Sequence, residues 1–364
     1  MNIDLGELSR AVGRPVATYD VEAIDPHLRI HSVTGGVYRV RGEGFSIVVK
    51  VVRHGADGTP DGLWLSAAEP THRNYWKREW LAFDSGLLGR LPGRLRAPRR
   101  LLTTEVSADE CWIWMEDARG RHGPSLGLAD FAAIAFALGT TQGAYAAGAT
   151  ALPSDEWLSR DWLQGWVDAC ARMVESLDDE TLWRDERLRA LGRLRPRVRA
   201  LWRERSRLLD ITDSAPRTLV HWDFWPSNLY VDNDDVIAID WSQVGLGCVA
   251  QDLDQITLDT VWMQVRPEES LDELERRVLP SYAAGLREAG LDVEASQLRR
   301  WYAAAAAARY AWMGAGQARI LADPAAVAAQ ERRFGREYDA VLAVKARVVE
   351  HAIQLGEWAL ESGR

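Results

Sequence analysis

The sequence predicts an α+β chain: a small β-rich N-terminal part followed by a larger, mostly helical C-terminal part. Strand-like runs crowd the stretch before residue 116, and three- and four-residue apolar spacing dominates after residue 125. One short β segment around residues 217–240 interrupts the helices.

In the first part a strand pattern begins near Ile30. Val37, Tyr38 and Val40 lead into the turn Arg41-Gly42-Glu43-Gly44, and the β-branched run from Phe45 to Val52 follows. Arg99 to Thr104 and Cys111 to Met115 read as further strands completing a five-stranded sheet. Before them, Trp76, Trp80, Phe83 and Leu87 recur at helical spacing over Asn74 to Leu87, with Glu79 beside that apolar face. Glu116-Asp117-Ala118-Arg119-Gly120 then turns polar, as a connection between two lobes would. Helical spacing runs near Leu126 to Ala147, Asp155 to Leu177, Thr181 to Leu209, Asp252 to Val265, Leu271 to Ala289, Ala295 to Ala318 and Pro324 to Leu360. The expected division is an N-terminal lobe over 1–115, a hinge over 116–120 and a C-terminal lobe over 121–364.

At 364 residues the chain exceeds one ordinary core of about 150 and has ample apolar content for two. Cys111, Cys170 and Cys248 are scattered and form no C-x-x-C pair, which argues against a disulfide framework or zinc site. A reducing cytoplasm is the expected location. No apolar run is long enough to cross a bilayer, and a formal charge of −9 argues against general nucleic-acid binding, which needs a basic face. The expected partner is a small molecule, and the protein a monomer or homodimer.

The chemistry concentrates in His221-Trp222-Asp223-Phe224-Trp225-Pro226-Ser227-Asn228 and the apolar strand ending in Asp240. Phosphoryl transfer requires a site that holds Mg²⁺ on the nucleotide phosphates, aligns an acceptor hydroxyl and takes its proton. Asp223 suits the proton, while Asn228 and Asp240 supply the oxygen ligands a hard cation prefers. His221 reads as a structural hydrogen-bonding residue. An alternative takes His221 and Asp223 as part of a two-histidine, one-carboxylate iron site, with His351 as the distal ligand.

These residues resemble the aminoglycoside phosphotransferase and choline kinase group of small-molecule kinases, whose loop usually reads H-G-D-x-H-P-x-N before an I-D-W or I-D-F strand. His221, Asp223, Pro226, Asn228, Asp240 and Trp241 match; Trp222 stands where glycine is usual and Trp225 where histidine is usual. Gly245 to Leu253 resembles G-x-G-D-P-x-x-D-L, with Cys248-Val249 replacing its Asp-Pro and Asp252 retained to anchor the catalytic loop. The resemblance implies a protein-kinase-like bilobal fold and an ATP-dependent O-phosphotransferase, with GTP as the alternative donor. It implies that Lys50, ending Ile47-Val48-Val49-Lys50, contacts the nucleotide phosphates and that Glu79 holds it. Gly35 and Gly36 are expected in the loop covering the phosphates, and the hinge backbone, including Glu116 and Ala118, beside the adenine.

The acceptor site is expected between the catalytic loop and the C-terminal helices. Trp225, Trp162, Trp166 and Asp254 are its candidates, although aromatic residues at such spacing also build cores. An antibiotic-modifying resistance enzyme and a kinase for a metabolite such as an amino alcohol, sugar or nucleoside both fit these residues, as does a non-catalytic pseudokinase.

Overall fold

The computed structural model describes residues 3–24, 33–55, 65–233 and 235–362. Its first half-sheet is preceded by a helix the sequence pattern did not announce. Helix α1 (Leu5–Val12), capped by the Asp4 side chain on the Glu7 amide, leads to strand β1 (Asp20–Ala23). Strands β2 (Thr34–Gly42) and β3 (Phe45–Arg53), helix α2 (Arg78–Asp84), the two-residue strand β4 (Leu95–Arg96), and strands β5 (Arg100–Ser107) and β6 (Glu110–Glu116) follow. An antiparallel five-stranded sheet forms in the order β1-β2-β3-β6-β5. Ile30, where the pattern was expected to begin, lies outside the described residues.

Strand alternation decides which way Lys50 points. Ile47 and Val49 pack with Leu8 and Trp114 under α1, whereas Val52 belongs with Trp76, Trp80 and Phe83 on the opposite face. Period two along β3 places Lys50 on the α2 side with Val52. The expected helix over Asn74 to Leu87 shortens to α2, but Glu79 stays in its first turn.

The C-terminal lobe is helical around a small β insert. Strand β7 (Arg121–His122) follows the hinge, then α3 (Leu128–Ala146), α4 (Trp162–Glu175), α5 (Arg189–Arg203) and α6 (Arg205–Asp213). Strands β8 (Arg217–Val220), β9 (Leu229–Asp232), β10 (Asp235–Ala238) and β11 (Gly245–Cys248) carry the catalytic segment. A π-helical turn (Gln255–Asp259) runs into the short α7 (Thr260–Trp262), and α8 (Leu271–Glu288), α9 (Ala295–Tyr310), α10 (Ala315–Leu321), α11 (Pro324–Phe334) and α12 (Tyr338–Glu361) complete the lobe. Strand β10 sits between β9 and β4, and β7 pairs with β9, so residues from both sides of the hinge share one sheet with the catalytic segment.

Several long helical stretches break where apolar spacing alone continues. The expected helix over Pro324 to Leu360 ends at Gly335, whose φ of 62° closes α11, and restarts at Tyr338. The stretch from Asp155 becomes helical only at Trp162. Elsewhere glycine permits close crossing: a Cβ at Gly139 of α3 would stand 2.4 Å from the Tyr282 carbonyl of α8. The buried Ala303 to Ala308 run in α9 packs in the same manner, with Ala307 against Gly356 of α12.

Candidate active site

The 221–228 loop is held from below by side chains of the segment after β11, with Gln142 of α3 behind them. Both oxygens of the buried Asp252 accept main-chain amides, Oδ2 from His221 at 2.9 Å and Oδ1 from Trp222 at 2.8 Å. Gln142 of α3 donates to the same carboxylate at 2.9 Å. Gln255 takes the next turn of chain: its Oε1 accepts from the Phe224 amide at 2.8 Å and its Nε2 donates to the Trp222 carbonyl at 3.0 Å. Asp223 is therefore bracketed by two clamped neighbours. His221, buried, lies with Nε2 3.0 Å from the Ile239 carbonyl and accepts the Asp223 amide on Nδ1 at 3.2 Å. Burial lowers its pKa to about 4, so it holds the loop as a neutral ring.

Pro226 starts the single 3₁₀ turn that ends at Asn228, where Pro lacks the amide the turn does not need. That turn brings Asn228 Nδ2 to 2.9 Å from the Asp223 carbonyl and 2.7 Å from its Oδ2. With Nδ2 so engaged, the carboxamide oxygen is the donor left for a cation. The Ile239 amide bonds the Asn228 carbonyl at 2.9 Å and delivers the next residue, Asp240, to the same place. Asp240 adopts φ 60°, a left-handed conformation unusual for a residue with a side chain, and such strain clusters at functional sites.

Three charged groups meet across the lobes. Lys50 Nζ lies 2.6 Å from Glu79 and 2.8 Å from Asp240, and the Trp241 amide donates to Glu79 at 3.2 Å. Burial opposes the lysine's charge, but Asp240 and Glu79 outweigh it and raise its pKa. Asp223 is pushed up to about 8, first by burial, then by Asp240 and Asp259, against the lowering effects of Asn228 and Arg309. A carboxyl in this setting holds a proton far more readily than one in water.

Other expectations land differently. Gly35 and Gly36 belong to β2, at a bulge against β3, and lie beyond the β1–β2 connection. A Cβ at Gly36 would meet the Tyr38 ring at 2.6 Å, so this glycine serves packing within the lobe. The connection itself, residues 25–32, lies outside the described residues. The Glu116 side chain pairs with Arg96 at 2.9 Å and accepts the Arg99 amide at 2.9 Å, which bears on none of the expected backbone contacts of 116–120. Ala118, half-buried, contributes only backbone. Trp162 and Trp166 are buried core residues: Trp162 stacks on Trp222 at 5.2 Å and on Trp166 at 5.9 Å, and bonds Gln243. Asp254 is likewise sealed, 3.6 Å from Arg309, whose guanidinium lies 4.5 Å from the Trp162 ring. Burial raises Asp254 to about 7 against the pull of Arg309. These three contribute to the platform beneath the loop, because flat rings and a guanidinium pack more area there than an open pocket wall permits. Trp225 alone of this group stays half-exposed. His351, in α12, is hydrogen-bonded to Glu275 of α8, so the distal ligand of the iron reading is engaged elsewhere.

Gln142, Gln255, Arg78 and Arg309 carry no local signal, since polar residues within helical spacing look solvated. The donor set of Asn228 and Asp240, one carboxamide and one carboxylate, fits Mg²⁺, which keeps waters and phosphate oxygens in its remaining positions. Among the described residues no three His, Cys, Asp or Glu side chains form a metal cluster.

The model of the family described as phosphotransferase enzyme family matches residues 37–291. No curated protein matches the chain. Among solved structures, the amicoumacin kinase hAmiN in complex with AMP-PNP, Ca²⁺ and Ami is 15% identical, with 86% of this chain and 87% of that one covered at a TM-score of 0.51. Spectinomycin phosphotransferase APH(9)-Ia in complex with ADP and spectinomycin is 14% identical, with 96% and 100% covered at 0.52. Choline kinase LicA from Streptococcus pneumoniae is 14% identical, with 92% and 93% covered at 0.50. At these identities the likeness is one of fold, the protein-kinase-like arrangement the loop motif implied.

Proposed function

The chain belongs to the phosphotransferase enzyme family, small-molecule kinases that pass a phosphoryl group to an alcohol, and from that premise we propose an ATP-dependent, Mg²⁺-requiring O-kinase whose acceptor is a hydroxylated antibiotic. The observation that carries the reading is the convergence of Asp223, Asn228, Asp240 and Lys50 at one seam. Asp223 accepts the hydroxyl proton, and Asn228 orients its carboxylate by the 2.7 Å bond to Oδ2. Asn228 and Asp240 would hold the Mg²⁺, which when bound neutralises charge on the phosphates. Lys50, kept in place by Glu79, aligns those phosphates, and backbone groups of 116–120 face the base between lobes of 1–115 and 121–364. Antibiotic kinases with bound donor or acceptor share the fold, which is compatible with this acceptor class. The choline kinase of the same fold keeps a metabolite hydroxyl as the second reading.

The test is Mg²⁺-dependent release of nucleoside diphosphate across a panel of hydroxylated antibiotics and metabolites. Asp223→Ala should cut transfer by about 10³ while nucleotide binding, followed by titration, stays within about threefold. Full turnover in that variant would overturn the assignment. Nucleotide binding without turnover for any acceptor would favour a non-catalytic role instead.

A further inference from the structure

Arg78 opens α2 one residue before Glu79, and its side chain is completely buried. Among the described residues it has no ion-pair partner. Its donors end on main-chain carbonyls: Nε on Trp157 at 2.8 Å, Nη1 on Arg73 at 2.7 Å and more loosely on Ser242 at 3.4 Å, Nη2 on His72 at 2.6 Å and Pro70 at 3.2 Å. These acceptors come from three separate places. Residues 70–73 precede α2, Trp157 belongs to the segment entering α4 in the C-terminal lobe, and Ser242 lies two positions beyond Asp240.

A buried cation without an anion persists only when every donor is met. The planar guanidinium has five N–H groups in a fixed fork, which matches this cage of carbonyls; an ammonium has three on one centre and does not. Burial lowers the pKa of Arg78 to about 10, which leaves it charged at neutral pH. The register adds direction. Arg78 reaches the Ser242 carbonyl while its neighbour Glu79 accepts the Trp241 amide, so two consecutive residues of α2 grip two consecutive residues after Asp240.

We propose that Arg78 is a positioning residue: it pins α2 to the C-terminal lobe, so that the Lys50–Glu79–Asp240 triad is assembled before a nucleotide arrives. What the triad does rests on the kinase reading; how it is held does not. A helix free to swing would leave only a fraction of molecules competent, and apparent affinity falls by that fraction.

The experiment has two arms. In the ligand-free protein, hydrogen exchange at the Trp241 amide and along α2 is compared among wild type, Arg78→Met and Arg78→Lys. Exchange should rise at least tenfold in Arg78→Met, and less in Arg78→Lys, with α8 and α12 unchanged. In the second arm, AMP-PNP with Mg²⁺ is titrated into wild type, Arg78→Met, Glu79→Gln and the double variant. Each single change should weaken binding about tenfold, and the double should be no weaker than Glu79→Gln, because Arg78 acts through Glu79. Unchanged exchange at Trp241, exchange raised throughout the C-terminal helices, or losses that multiply in the double variant would each overturn the proposal. Should Arg78→Met fail to fold, the Trp241 amide in Arg78→Lys decides. Absence of AMP-PNP binding to the wild type would sink the kinase reading, and the exchange arm would still judge the clamp.

Discussion

Above the catalytic loop Lys50 is shared by two carboxylates, and Asp240 keeps about a third of its side chain open. Below the loop Arg309 meets Asp254 at 3.6 Å with both side chains almost sealed, and the guanidinium lies against the rings of Trp162 and Trp222. The two clusters use the same kinds of residue for different ends. The upper one has an opening beside Asp240, whereas the lower one, where Asp252 and Asp259 also lie near Arg309, has none. The lower one has no outward-facing group, and its rings and charges are all turned toward one another. Exposure separates the open cluster from the sealed one where composition does not.

The sharpest way to test this contrast is at the tryptophans. Trp162→Ala should destabilise the protein by about 3–5 kcal/mol in denaturant unfolding, because it empties the stack beneath the loop. Trp225→Ala, at a half-exposed position, should cost under about 1 kcal/mol and act on the KM of the acceptor. Equal destabilisation by the two would erase the distinction between platform and pocket.

Charge removal gives the next largest expected effect. Arg309→Met strands Asp254 and should cost about 3 kcal/mol, with Arg309→Met/Asp254→Asn recovering part of it. Lys50→Met should instead weaken nucleotide binding by at least about tenfold. If Lys50→Met left titrated affinity untouched, the upper cluster would lose its claim to be the ligand side.

A further buried cation sharpens the picture through pH. Lys345 of α12 lies 4.8 Å from the Trp262 ring and donates to Gln317 at 3.0 Å, with no carboxylate in ion-pair range among the described residues. Burial, aided by Arg333, lowers its pKa to about 7. The unfolded chain, with lysine near 10.5, then binds the proton more tightly than the folded one, so stability falls as pH drops from about 10 to about 7 and levels off below. Lys345→Met removes that dependence: relative to wild type it should gain about 2–3 kcal/mol between pH 9 and pH 7. Parallel stability curves for the two proteins would contradict the sign.

The 221–228 loop was legible because phosphoryl transfer asks for particular residue types at short, ordered spacing. Lys50 is legible from its resemblance to the lysine that ends a V-A-I-K strand, and Glu79 from its place beside the apolar stripe of α2. The aromatic residues misled for the opposite reason: Trp162 and Trp166 have the same spacing whether a helix faces a pocket or a core. Strands β4 and β7, two residues each, are too short to show any period, yet they tie the hinge region to the catalytic sheet.

The sequence by itself determined the fold class and the approximate order of elements, because these depend on local spacing, and it singled out residues 221–228 as the stretch where phosphoryl-transfer chemistry would be expected. Only the tertiary structure decided that Gln255 joins Asp252 in clamping the loop, that Arg78 joins the lobes through carbonyl oxygens, and that Asp254 is scaffolding. Those roles depend on which distant backbone groups a buried donor or acceptor meets, and a one-dimensional pattern contains no record of that encounter.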